Sequence, residues 1–180
     1  MRLKVILVFI VIIVLAFYLG QLAKDNEFVR EIIHKYGYIG VFCVAIVSGF
    51  NLAIPIPAIS FLPLFLESGL NMWIVTLLIT IGVTIADMAE FFLGHAGRHI
   101  VGEHKIVDRL EKLRKKNPRL PILILFLFAS FAPMPNEVLG LPMGFMGYNK
   151  WSVLLAVFLG NLVFNSIYGL GVINLYQFLQ

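Results

Sequence analysis

Apolar residues run along this chain in long blocks, and polar residues gather between them. Residues 5–22 form the first apolar block and predict a transmembrane helix. Residues 24–37 are mixed, with Phe28, Ile32 and Ile33 on one helical face, and predict a short amphipathic helix in the membrane interface. Residues 38–54 are apolar until Pro55 and Pro57 interrupt them. Proline has no N–H and clashes with the preceding turn, so the helix breaks there. Residues 58–68 are apolar again but carry Pro63. Eleven helical residues rise only ~16 Å, about half of a ~30 Å hydrocarbon core. The stretch 38–68 therefore reads as a re-entrant hairpin, followed by a crossing helix within 72–93. Residues 94–119 are polar, with Ile106, Leu110 and Leu113 spaced for one apolar face of a linker helix. The pattern then recurs. Residues 120–132 are apolar, Pro133 and Pro135 break them, residues 136–148 return with Pro142, and residues 150–176 cross. Residues 120–148 are the second predicted hairpin.

The recurrence is also written in the residues. At an offset of 78, Pro55, Pro57, Gly69, Asn71, Trp73, Val75, Leu77 and Gly82 recur as Pro133, Pro135, Gly147, Asn149, Trp151, Val153, Leu155 and Gly160. Those are eight identities in 28 positions, where composition alone gives roughly two. Each copy contains one net crossing, so a linker that stays on one side forces the second copy to run opposite to the first. The expected fold class is an all-α membrane protein. Its single membrane domain, 1–180, holds an N-terminal transmembrane helix and an inverted repeat, 38–93 and 120–176, each copy a re-entrant hairpin plus a transmembrane helix. Pro-interrupted segments at matching places in two halves point to a transporter's central site.

Composition agrees. The chain is 60% hydrophobic and 13% charged, more apolar surface than a soluble domain of 180 residues can hide. The start could be a signal peptide, with Arg2 and Lys4 before the apolar run, but Gln21-Leu22-Ala23 lacks an A-x-A cleavage site, so a retained helix is expected. Cys43 is the single cysteine, lies in an apolar run and is expected to pack there. Placing the amino terminus, the linker and Lys150 on one side puts 11 of the 14 Lys and Arg residues together. The positive-inside rule makes that side cytoplasmic. The expected location is the plasma membrane, with the amino terminus in and the carboxyl terminus out. The basic linker reads as a solvated or interface-bound helix, with anionic lipid as an alternative partner. Nothing in it suggests nucleic acid.

Ionisable groups in hydrocarbon are costly and are functional candidates by default. Asp87 and Glu90 lie one turn apart on the helix within 72–93, and Glu137 follows the second Pro-x-Pro. Thr80, Thr84 and Asp87 make one polar stripe; Asn161, Asn165 and Tyr168 make another. Asp87 and Asn165 are repeat-equivalent, so the stripes are candidates to face each other. Interhelical hydrogen bonding is the plainer reading of the Asn and Thr residues, and snorkelling that of Glu90. Asn51, Ser48 and Ser60 stand near the first hairpin tip; Ser130, Asn136 and Glu137 stand near the second. The motif H-I-V-G-E-H at 99–104 has one residue too many for an inverted zinc-protease motif. His95, His99 and Glu103 share a face but read as surface residues of the linker. No motif argues for catalysis, a metal or a cofactor.

Several stretches resemble one family. Y-G-Y-I-G-V-F at 36–42, N-L-A-I-P-I-P at 51–57, G-V-T-I-A-D-M-A-E-F-F-L-G-H-A-G-R at 82–98 and F-A-S-F-A-P-M-P-N at 128–136 are similar, in order and spacing, to the DedA membrane proteins. That family is also called the VTT-domain or SNARE-associated Golgi protein family. The resemblance covers about 36–165. It implies two facing re-entrant hairpins and movement of lipids or polyprenyl-phosphate carriers across membranes, with proton coupling proposed for bacterial members. This chain departs from the family pattern: its two arginines fall at Ser130 and Asn136, and its acid after the first Pro-x-Pro falls near Ala58 or Ile59. An acid stands instead at Glu137.

The leading expectation is a DedA-like lipid or lipid-carrier flippase or scramblase. Hairpins carrying Pro55, Pro57, Pro133 and Pro135 would form a midplane site. Asp87 and Glu137 would titrate, Glu90, Ser130 and Asn51 would line the site, and Asn136, Asn161 and Asn165 would orient the substrate. The alternatives are a proton- or cation-coupled exporter of a small solute and a non-transport, partner-binding membrane protein. Membrane lipids and protons or cations are the expected partners, with a homodimer open for so small a bundle.

Overall fold

The computed structural model describes residues 27–50, 57–97, 105–132 and 134–178. The predicted helix at 5–22, with Asn51, Pro55, Pro133, His99 and Glu103, lies outside them. The elements are α1 (Glu27–Gly49), a 3-10 turn (Ala58–Phe61), α2 (Leu62–Glu67), α3 (Met72–Ala96), α4 (Lys105–Lys116), α5 (Leu120–Phe131), α6 (Glu137–Phe145) and α7 (Lys150–Phe178). The described residues are all helix and connection, without a strand. Helices α3 and α7 are each long and apolar enough to cross a membrane. Helix α5, at 12 residues, rises ~18 Å and α6, at 9, rises ~14 Å, both well short of a ~30 Å core.

The chain divides into two compact units. One holds the residues up to Gly82 together with Asn165 onward; the other holds Val83–Phe164. Each unit thus takes the first part of one long helix and the second part of the other.

In the first unit, α1 touches the 3-10 turn and α2. Helix α1 runs without a break from the expected amphipathic stretch, 24–37, into the apolar one from 38. No proline interrupts it, and Gly37 serves packing: a Cβ there would lie 2.7 Å from Leu70 Cδ1. Cys43 is exposed on α1 rather than packed. It falls on the outward face, between the buried Val41 and Ala45 on the inward one.

Helix α2 starts with Pro63 in its first turn, where a missing N–H costs nothing. It ends at Gly69, whose φ of 86° only glycine adopts without strain. Leu70 N–H donates to Phe65 C=O at 3.1 Å and Gly69 N–H to Leu66 C=O at 2.9 Å, the paired bonds of a Schellman stop. Asn71 then caps α3, its Oδ1 accepting from Trp73 N–H at 3.0 Å and Ile74 N–H at 3.3 Å.

The second unit repeats this joint in detail. Helix α6 ends at Gly147, φ 65°. Tyr148 N–H donates to Met143 C=O at 3.2 Å and Gly147 N–H to Gly144 C=O at 3.0 Å. Asn149 Oδ1 accepts from Trp151 N–H at 2.9 Å and Ser152 N–H at 3.4 Å. Helix packing matches as well. A Cβ on Gly82 would meet Ala45 Cβ at 2.6 Å and Phe42 O at 3.1 Å; one on Gly160 would meet Ala129 Cβ at 2.5 Å and Phe126 O at 3.0 Å. The pairs Gly69 and Gly147, Asn71 and Asn149, and Gly82 and Gly160 are therefore one helix stop, one helix start and one helix crossing, used twice.

Helix α4 is the expected linker helix. Its apolar face docks on protein: Leu110 is buried in a core with Phe91, Leu125, Met143, Met146 and Val153, and Ile106 and Val107 pack against it. Arg114 Nη1 donates to Met146 C=O at 3.0 Å, at the carboxyl end of α6, and its guanidinium lies 5.0 Å over the Tyr148 ring. Burial pushes the Tyr148 phenol above its ordinary pKa, with Arg114 pulling the other way. The linker helix thus docks on this unit through its apolar face and leaves its charged face exposed.

Candidate functional site

Helix α3 turns Thr84, Asp87 and Glu90 toward the interior of the second unit, because three- and four-residue steps keep them on one face. Helix α7 turns Asn161 inward, and the break after α5 delivers Asn136 to the start of α6. Asn136 occupies a capping position yet makes no capping bond with its side chain. Its Nδ2 instead donates to Asp87 Oδ2 and to Asn161 Oδ1, both at 3.0 Å. Asn161 Nδ2 donates to Asp87 Oδ2 at 2.7 Å and to Thr84 Oγ1 at 3.2 Å. Four side chains on three helices so form a closed buried network.

The network leaves acceptors over. Both N–H bonds of each amide are used. Asp87 Oδ1 is buried without a hydrogen-bond partner, and the buried oxygens of Glu90 have the Glu137 carboxyl as their polar neighbour. Asp87 and Glu90 are each 4% exposed, so Glu90 does not snorkel as the plainer reading expected. Glu137, in the first turn of α6, is close enough to act on both carboxyls electrostatically. Every lysine and arginine whose side chain is described is exposed. Among the described residues the cluster is therefore acidic and amide-lined, with no cation in it.

Two glycines hold α3 and α6 at this distance. A Cβ on Gly94 would lie 2.3 Å from Leu141 O, and one on Gly144 would lie 2.2 Å from Phe91 O. The backbones touch there, one turn or so beyond Glu90. Sequence reading missed both glycines; the signal available was a pair of unremarked glycines in otherwise bulky helices.

The other expected residues are placed differently. Ser130 is buried but donates to Phe126 C=O of its own helix at 2.8 Å, outside the network. Asn165 belongs to the first unit, where its Nδ2 donates to Thr80 Oγ1 at 3.1 Å. The two predicted stripes therefore do meet, Thr84 and Asp87 with Asn161, and Thr80 with Asn165. Pro57 precedes the 3-10 turn and accepts from Ser60 N–H at 2.9 Å; Pro135 accepts from Val138 N–H at 3.3 Å. His95 is exposed and stacks on Phe91. No group of three His, Cys, Asp or Glu residues able to hold a metal occurs among the described residues.

Long apolar helices, large apolar side chains left outside (Trp73, Leu93, Phe131, Trp151 and Leu155 among them) and a buried polar cluster define an integral membrane protein. The VTT-domain family model matches residues 54–173, and the chain belongs to that family, the DedA membrane proteins. Comparison with curated proteins and with solved structures returns no match.

Proposed function

We propose that this chain is a membrane transporter whose acidic cluster holds a proton or another small cation during the transport cycle. The carrying observation is that every amide N–H of the cluster is spent while Asp87 Oδ1 is buried without a hydrogen-bond partner and Glu90 has only another carboxyl, that of Glu137, beside it. Spare acceptors suit a cation or an N–H or O–H donor. A buried phosphate wants arginine or lysine, and the family's arginine positions are Ser130 and Asn136 here. Family membership supports a lipid or lipid-carrier cargo moved by flipping or scrambling, with its phosphate held away from this cluster. The acceptor-only chemistry supports a small cationic solute as a second reading.

The architecture we propose is the inverted repeat of re-entrant hairpins. Support comes from the shortness of α5 and α6, the doubled Schellman-and-Asn joint, and the division of each long helix between the two units. The basic side is cytoplasmic in this reading, and the membrane is the plasma membrane.

The test is reconstitution of the full chain into proteoliposomes with a pH-sensitive dye inside and separate reporters for sodium and potassium. Asp87→Asn keeps the shape but removes the carboxylate. The wild type is expected to move one of these cations and Asp87→Asn to move it at least tenfold more slowly. Equal rates in the two proteins overturn the assignment.

A further inference from the structure

The outer face of α4 has no role in the site. Docking through Ile106, Val107 and Leu110 fixes which way that face points, and Arg114 is already committed to Met146 and Tyr148. Lys112, Lys115 and Lys116 are left exposed, with Arg109 before them and Arg119 after. Lys112 and Lys115 lie opposite Leu110 by helical periodicity. Asp108 and Glu111 are the exposed acids of the helix, so the face is net positive.

Where this face sits is set by its neighbours in the same unit. Arg119 is the N-cap of apolar α5, which exposes Leu123, Leu127 and Phe131. The turn that Arg114 holds at Met146 and Tyr148 leads within three residues into Lys150 and Trp151, at the start of α7. Trp151 is 67% exposed, with Lys150 Nζ 5.4 Å over its ring. Tryptophan and lysine at the start of a crossing helix mark the headgroup level of a bilayer. A rigid basic face at that level meets lipid phosphates, not solvent alone.

We infer that the exposed face of α4, centred on Lys112, Lys115 and Lys116, is a binding surface for anionic phospholipid headgroups. The docked helix holds its charges in place before lipid arrives, so little ordering entropy opposes binding. The charges act as a group: a basic residue at the surface is worth about fivefold in association with an anionic leaflet. This surface is separate from the acidic cluster and stands whether or not the cluster's assignment does.

The experiment uses the full chain carrying Trp73→Phe, so that Trp151 is the single tryptophan. It is placed in bilayers of phosphatidylcholine and phosphatidylglycerol, and one lipid at a time is given brominated acyl chains that quench a neighbouring tryptophan. Brominated phosphatidylglycerol is expected to quench Trp151 more than brominated phosphatidylcholine does at equal mole fraction. Lys112→Gln, Lys115→Gln and Lys116→Gln together are expected to abolish the excess, and so is molar salt. Asp108→Asn with Glu111→Gln is expected to increase it. Equal quenching by the two lipids in the parent protein overturns the inference. So does an excess that survives the triple substitution while size-exclusion profiles show the variants folded.

Discussion

Gly144→Ala should separate α6 from α3. The added methyl would lie 2.2 Å from Phe91 O and 2.9 Å from His95 N, and carbon meets oxygen comfortably only beyond 3 Å. Neither neighbour is a flexible side-chain end; both are backbone inside α3. The helices must therefore part by roughly 1 Å, and overpacking of that kind costs about 1–3 kcal/mol. Gly140→Ala is the internal control. It lies one turn earlier on α6, where a Cβ would meet nothing within 4 Å. There alanine should be neutral or stabilise by up to ~1 kcal/mol through helix propensity. Thermal unfolding in detergent, followed by intrinsic fluorescence, reads the difference. Gly144→Ala should lower Tm by roughly 2–12 °C, taking ~2–4 °C per kcal/mol for a chain of this size, and Gly140→Ala should not. Equal Tm values for the two variants would refute the contact.

Asn71→Ala and Asn149→Ala should each cost about 1 kcal/mol, because each removes the same two-bond cap. Loss at one position alone, by the same unfolding assay, would contradict the equivalence of the joints. Asn161→Leu removes two donors and one acceptor from the buried network and should cost roughly 1–3 kcal/mol. An unchanged Tm would show that the network carries no stability.

Much of this was legible in the chain because the repeat is made of residues with sharp local roles. Gly69 and Gly147 stop helices, Asn71 and Asn149 start them, and Gly82 and Gly160 let helices touch; each role admits few residue types. The crossing partners Ala45 and Ala129 escaped notice because that part of the repeat is offset by 84 residues, not 78. The acids were found because hydrocarbon makes them costly. Which turn meets which was not found. Periodicity puts Thr80, Thr84 and Asp87 on one face and Asn161 and Asn165 on another, but it does not fix the register that pairs Asp87 with Asn161 and Thr80 with Asn165. Glu90 looked peripheral by its place along α3 and is buried, since α6 covers it where Gly94 and Gly144 permit close approach. The basic linker read as solvated or interface-bound by composition; Ile106, Val107 and Leu110 dock it, Val107 standing where spacing had suggested Leu113.

The central proposal is a membrane site that accepts a cation or proton at Asp87 and does not hold a phosphate. The most direct measurement places the wild type and Asp87→Asn in proteoliposomes and follows proton, sodium and potassium flux beside the movement of fluorescent phospholipid and polyprenyl phosphate. The account predicts cation or proton movement that Asp87→Asn suppresses, and any lipid movement coupled to it falling in parallel. Lipid or polyprenyl phosphate moving at the same rate in both proteins, with no cation or proton flux, would contradict it.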